Sequence, residues 1–244
     1  MKKPESIICF LILFSCFLFA GAFEASGNDT LYIKKSNDFQ ITGDKTSGNW
    51  DKAEWIPLTQ RRQTDILQST QVKILYSETG LYFLFSCEDS ILTATMNVDN
   101  MQLWKEDVVE IFLVPDMQSE NHFEYELSPL NYELALFVTY NNNSMMRLTP
   151  YYVDEKESER IQHKTAIRNG EKRSQASVKG WTAECFIPFR FLELCGSITP
   201  YSGMQWKGNL YRVDYDRDKP VSWTWTPVTG SYHNTKEYGI FIFE

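Results

Sequence analysis

The sequence predicts an all-β chain, two packed antiparallel sheets of jelly-roll type and immunoglobulin-like general shape. Three observations predict it: about ten short apolar runs, turn signals such as Glu78-Thr79-Gly80 between them, and no long stretch at helical period.

The elements follow in order. Val72, Ile74 and Tyr76 alternate ahead of Glu78-Thr79-Gly80, and Leu81 to Cys87 returns as an apolar run, so this segment reads as a hairpin. Val108 to Val114 is an almost continuous β-branched and aromatic segment closed by Pro115, and His122 to Ser128 alternates polar His122, Glu124 and Glu126 with apolar Phe123, Tyr125 and Leu127. Both are expected strands, the first more buried than the second. Tyr132 to Tyr140 is the next, followed by a charged break at Asp154 to Arg160. Further strands are expected near Ile161 to Ile167, Ser174 to Val178, Trp181 to Ile187, Leu210 to Tyr215, Val221 to Trp225 and Tyr238 to Phe243, with one helical turn over Phe189 to Leu194. All-β units often fill 200 to 250 residues, and no Pro/Gly/Ser-rich linker divides this chain of 244. Residues 31–244 therefore read as one core after a flexible start at 23–30.

The first 22 residues carry a different signal. Lys2 and Lys3 precede an uncharged run from Ser6 to Phe23, with small Ala20, Gly21 and Ala22 near its end, the layout of a secretory leader cleaved after Ala22. An exported protein, periplasmic, surface-bound or secreted, is expected. The alternative is a lipoprotein site at Leu13-Phe14-Ser15-Cys16, in which Cys16 carries the lipid and tethers the chain to a membrane. Cys9 and Cys16 belong to the leader, leaving Cys87, Cys185 and Cys195, an odd number that sits in apolar runs and reads as core thiols. A net charge of −8 disfavours a phosphate-binding surface, so nucleic acid is not an expected partner.

Aromatic residues make up 15% of the chain, and they either fill the core or lie flat beneath sugar rings, whose axial C–H face is apolar. The sharper signal is Trp104 in the polar stretch Gln102-Leu103-Trp104-Lys105-Glu106-Asp107, directly before a buried strand interrupted by Glu110. A carboxylate on such a strand must be paired or must face a cleft, where its two oxygens can accept from neighbouring hydroxyls.

The run Trp104-Lys105-Glu106-Asp107-Val108-Val109-Glu110, followed by Ile111-Phe112-Leu113, resembles the central motif of the family 9 carbohydrate-binding modules. Further pieces match in the same order: Asp51 and Trp55 in the family's opening strand, Gly180-Trp181-Thr182-Ala183-Glu184 with Ile187-Pro188-Phe189, Gly203 and Trp206, Asn209-Leu210-Tyr211-Arg212, Ser222-Trp223, and Tyr238-Gly239. The resemblance implies a jelly roll that grips a glycan end between two aromatic side chains, a non-catalytic module supporting polysaccharide catabolism. It places Trp104 on one of the two aromatics and Glu110 on the sugar-binding carboxylate. The second aromatic falls near Tyr232, with Trp225 and Trp223 as neighbouring alternatives. Glu124 stands where the family has an Arg, so reducing-end recognition does not carry over. The implied partner is an oligosaccharide or polysaccharide, with secreted or surface glycoside hydrolases acting beside the module in trans. No cofactor is required, structural calcium is compatible, and no ligand set for it is assigned.

Two other functions compete. A glycoside hydrolase needs two carboxylates about 5 to 9.5 Å apart across one bond, whereas Glu106, Asp107 and Glu110 share one short segment. A haem-binding sandwich would draw on His122, His163 or His233, but no Cys-x-x-Cys-His is present.

Overall fold

The computed structural model describes residues 29–141, 144–149, 160–196 and 199–244. The leader over 1–22 with Cys16, and the charged break at 154–159, lie outside them. No helix among the described residues is long and apolar enough to cross a membrane.

The chain is all-β, with thirteen strands among the described residues. They are β1 (Thr30–Lys35), β2 (Ile56–Gln60), β3 (Thr70–Tyr76), β4 (Gly80–Cys87), β5 (Val108–Val114), β6 (His122–Leu127) and β7 (Glu133–Asn141). The remainder are β8 (Ser144–Leu148), β9 (Gln162–Arg168), β10 (Gly180–Pro188), β11 (Gln205–Asp214), β12 (Val221–Thr224) and β13 (Gly239–Phe243). The predicted hairpin is β3 with β4, in register from Thr70↔Cys87 to Tyr76↔Leu81. The turn over Phe189 to Leu194 forms as a 3-10 helix, Phe189–Cys195, ended by Gly196 in the left-handed region.

Two half-sheets face each other, β8-β7-β6-β5-β11 and β2-β3-β4-β10-β9. They share one apolar core in which Ile111, Leu113, Phe123 and Tyr125 of the first meet Ile74, Phe83, Phe85 and Cys185 of the second. Hydrogen bonding nevertheless continues between them, because β12 pairs with β11 on one side and with β2 on the other. Pairing is antiparallel except at β1, which runs parallel to both β13 and β3. This departs from the expected purely antiparallel sheets. A single strand bonded to both halves closes the edge of the sandwich, where unpaired N–H and C=O groups would otherwise stand open.

Several elements differ from expectation. Ser174 to Val178 is a turn with one bridge, Ser177 to Ile91, because Gln175 takes a positive φ of 59° that a strand cannot hold. Asp51 lies in a 3-10 turn, Gly48–Lys52, and Trp55 just before β2, so neither stands in an opening strand. Strand β6 is as buried as β5, on both faces. Its polar face is covered by the loop that carries Tyr232 and His233. Cys87, Cys185 and Cys195 are buried and free, as expected for core thiols.

Candidate functional site

Strand parity decides what the outer face of the first half-sheet carries. Val109, Ile111 and Leu113 of β5 point into the core, so Glu110 and Phe112 point outward; on β6 the same parity turns Glu124 and Glu126 out. In register, Glu110 stands opposite Glu126, and Phe112 opposite Glu124. Trp104, Glu110, Glu124 and Tyr232, singled out from separate segments, line one cleft of about 400 Å3 together with Tyr215, Ser222, Arg147 and His233. That volume lies within the ordinary range for small-ligand clefts.

Trp104 is half-buried on a 3-10 turn, Leu103–Lys105, and its position is held by its neighbours in sequence. Leu103 anchors the turn in an apolar cluster, and the Tyr215 hydroxyl donates to the Trp104 carbonyl at 2.8 Å. Glu106 accepts from the main-chain N–H groups of Thr95 (2.5 Å) and Met96 (2.9 Å), and Asp107 from those of Thr93 (2.5 Å) and Tyr215 (2.8 Å). The motif acids therefore fasten the loop that presents the indole, and only Glu110 reaches the cleft.

Tyr232 reaches the cleft with its ring already engaged. It lies flat on Tyr211, centroids 4.1 Å apart and planes within 5°, and the Arg61 guanidinium sits over the ring at 4.4 Å. With one face stacked so closely, Arg61 takes the other, so the cleft meets the edge of this ring. The expected arrangement of two open rings facing each other is thus present on the Trp104 side alone. The Tyr238 hydroxyl donates to the Tyr232 carbonyl at 2.6 Å and holds the loop in place.

Trp225 is not brought to this group. Ser222 of β12 faces the cleft, so Val221, Trp223 and, beyond the strand end, Trp225 turn into the core; Trp225 is 8% exposed and stacks on Phe241 at 5.2 Å. Gly239 is required beside it, because any Cβ there would run into the Trp225 ring. Trp223 is equally buried, beneath the Arg212 guanidinium at 4.8 Å.

Sequence reasoning set aside two histidines that the structure joins. His122 Nε2 lies 3.0 Å from His233 Nδ1, His122 Nδ1 lies 2.9 Å from the Glu120 carbonyl, and an Arg147 N–H donates to His233 Nε2 at 3.0 Å. A carbonyl only accepts, so His122 Nδ1 carries the proton; His122 Nε2 then accepts from His233 Nδ1–H, and both rings are neutral. Burial pushes both down to about 4. Between 6.5 and about 4 the unfolded chain binds protons that the folded chain refuses, so this contribution to stability is complete above 6.5 and is lost as pH falls. It amounts to on the order of 3 kcal/mol for His122. His122→Gln is expected to flatten the acid-side fall in melting temperature between pH 7 and 4. An unchanged fall would show that the histidines are not held neutral. The only sequence signal was their place, one on an alternating strand and one beside Tyr232.

Two carboxylate clusters are candidates for the oxygen ligands that calcium takes at about 2.3 to 2.6 Å. Asp89, Asp107 and Asp216 form one, and its oxygens are already engaged: Asp89 accepts from Trp181 Nε1 and Arg212, both at 3.0 Å, and Asp216 from Ile91 N–H and Ser90. Burial pushes Asp89 up to about 7 against the pull of Arg212. Glu110, Glu124 and Glu126 form the other, with carboxylate oxygens within 4.8 Å of one another. Burial first and neighbouring carboxyls second push Glu110 and Glu126 well above the ordinary carboxylate range, and burial also raises Glu124.

Solved structures share this fold. A structure of a candidate carbohydrate-binding protein from Bacteroides uniformis ATCC 8492 aligns with a TM-score of 0.72 at 16% identity, covering 89% of this chain and 100% of that one. Two structures of a family 9 carbohydrate-binding module from Caldicellulosiruptor kristjanssonii also align. The complex with cellotriose gives a TM-score of 0.62 at 16% identity, covering 88% of this chain and 94% of that one. The complex with glucose gives 0.60 at 18% identity, covering 88% and 96%. No curated protein sequence matches the chain significantly. The profile of the family described as carbohydrate family 9 binding domain-like matches residues 41–244. With that match spanning most of its length, and with the fold shared, the chain belongs to the carbohydrate family 9 binding domain-like family.

Proposed function

We propose that the cleft binds the end of a glycan chain without cleaving it, with Trp104 as the stacking platform, Tyr232 as the opposing wall and Glu110 and Glu124 as hydroxyl acceptors. The observation that carries this reading is the convergence of those four residues, from three separate segments, on one cleft of about 400 Å3. An indole buries the apolar face of a pyranose, and carboxylates at its base orient the ring through its hydroxyls. Similar proteins crystallised with cellotriose and with glucose support a sugar as the ligand class.

Hydrolysis fits the geometry less well. Its two carboxyls act about 5 to 9.5 Å apart on two sides of the scissile bond, whereas Glu110, Glu124 and Glu126 have oxygens within 4.8 Å on one floor. The module is read as exported by its leader and as working beside secreted or surface glycoside hydrolases in polysaccharide breakdown. A glycan array followed by calorimetry on the positive oligosaccharides tests the reading. A shallow site with one stacking ring is expected to bind in the micromolar to millimolar range, on the order of −4 to −8 kcal/mol. Failure to bind any oligosaccharide at millimolar concentration would overturn the proposal.

A further inference from the structure

Four buried acids elsewhere among the described residues are satisfied. Glu184 accepts from the Thr42 and Lys45 main-chain N–H groups at 2.9 and 2.6 Å, Asp107 from two such groups, and Asp89 and Asp214 from Arg212 at 3.0 and 2.7 Å. The cleft floor breaks that rule. Glu110, Glu124 and Glu126 are 2%, 4% and 0% exposed, yet as carboxylates Glu110 Oε1, Glu124 Oε2 and both oxygens of Glu126 receive no donor from outside the trio among the described residues, and only a proton on Glu126 shared with Glu124 links two of them. The Trp104 main-chain N–H faces Glu126 without reaching hydrogen-bond geometry. Two of the acids are directly opposed in strand register, a placement that like charges disfavour.

Arg61 and Arg147 hydrogen-bond other partners, and His233 Nδ1, 3.9 Å from Glu124 Oε2, belongs to a ring held neutral. Arg147 donates to His233, and Arg61 donates to the Val228 and Gly230 carbonyls at 3.0 and 3.3 Å. What the floor lacks is positive charge at its centre. The donors are all carboxylate oxygens, which favour a hard cation over zinc or copper. Oxygens on opposite sides of one calcium ion stand about 4.6 to 5.2 Å apart, so three carboxylate oxygens within 4.8 Å of one another can share such an ion.

We infer that Glu110, Glu124 and Glu126 hold a calcium-class divalent cation at the floor of the cleft. Calcium takes six to eight oxygens, so coordination positions remain on the open side, where Glu110 and Glu124 line the cavity. Vicinal hydroxyls of a ligand fill them in place of water. This last step rests on the carbohydrate reading; the cation site itself does not.

The test uses the full chain stripped with chelator and titrated with calcium by calorimetry, and with terbium, whose luminescence Trp104 sensitises. One saturable site is expected, weakened at least tenfold in Glu126→Gln and unchanged in Asp216→Asn. Calcium should raise the melting temperature of the parent and leave that of Glu126→Gln unmoved. If Glu126→Gln does not fold, Glu124→Gln takes its place with the same expectation. No saturable binding by the parent at millimolar calcium, equal affinity in the glutamate variant, or a loss in Asp216→Asn alone overturns the site. Oligosaccharide titrations with and without chelator separate the two readings. Binding that persists in chelator defeats the cation's role and leaves the carbohydrate reading standing, whereas a cation site in a chain that binds no sugar defeats only the latter.

Discussion

Trp104→Ala is expected to lower affinity for any oligosaccharide the cleft binds by at least about tenfold while leaving the melting temperature nearly unchanged. Stacking contributes about 0.5 to 1.5 kcal/mol beyond the apolar area removed from water, and each 1.4 kcal/mol is a factor of about ten. No second Trp among the described residues lines the cleft: five others are buried in the core, and Trp55 lies under Lys73. The fold should tolerate the change, because the loop is fastened through Leu103, Glu106, Asp107 and the Trp104 carbonyl, all of which survive it. Trp104→Phe should keep part of the affinity. Calorimetry on the parent and both variants, with a thermal melt of each, is sufficient. Equal affinity in Trp104→Ala would remove the indole from the binding mechanism.

The largest loss of stability is expected from Arg212→Met. Arg212 is fully buried and donates to Asp89 (3.0 Å), Asp214 (2.7 Å), Thr70 Oγ1 (3.2 Å) and the Glu88 carbonyl (2.5 Å), with its guanidinium over Trp223. Removing the cation leaves two buried aspartates without their counter-charge, a loss of about 3 to 5 kcal/mol. In a domain of this size that lowers the melting temperature by on the order of 10 °C. Adding Asp89→Asn and Asp214→Asn should recover part of it, since the uncompensated charge goes too. A melting temperature within a degree or two of the parent would show that the network adds nothing to stability.

Legibility followed burial. The strands read correctly are β3 to β7 and β9 to β13, and all of them except the half-buried β9 press apolar side chains into the shared core. Three strands gave no usable signal. Most of β1 is exposed, β2 is interrupted by Pro57, and all five residues of β8 are exposed, so each is held by its neighbours' hydrogen bonds. At the site, Trp104 and Glu110 were legible because an indole among charges and a carboxylate in an apolar run are locally inconsistent. Glu126 carries the same inconsistency but resembled the outward half of an ordinary alternating strand. Trp225 misled because Trp223 and Trp225 share a side that becomes core once Ser222 takes the cleft.

Local pattern was enough to establish an all-β chain, most of its interior strands, and the ordered motifs that mark its family, since these depend on side-chain period and on residues close in sequence. Contact between distant segments decided the rest. Tyr232 is flattened by Tyr211 and Arg61, His122 is joined to His233, and three glutamates are gathered from two strands. Each pairing depends on strand register and loop closure, and neither is encoded in the spacing of the residues concerned.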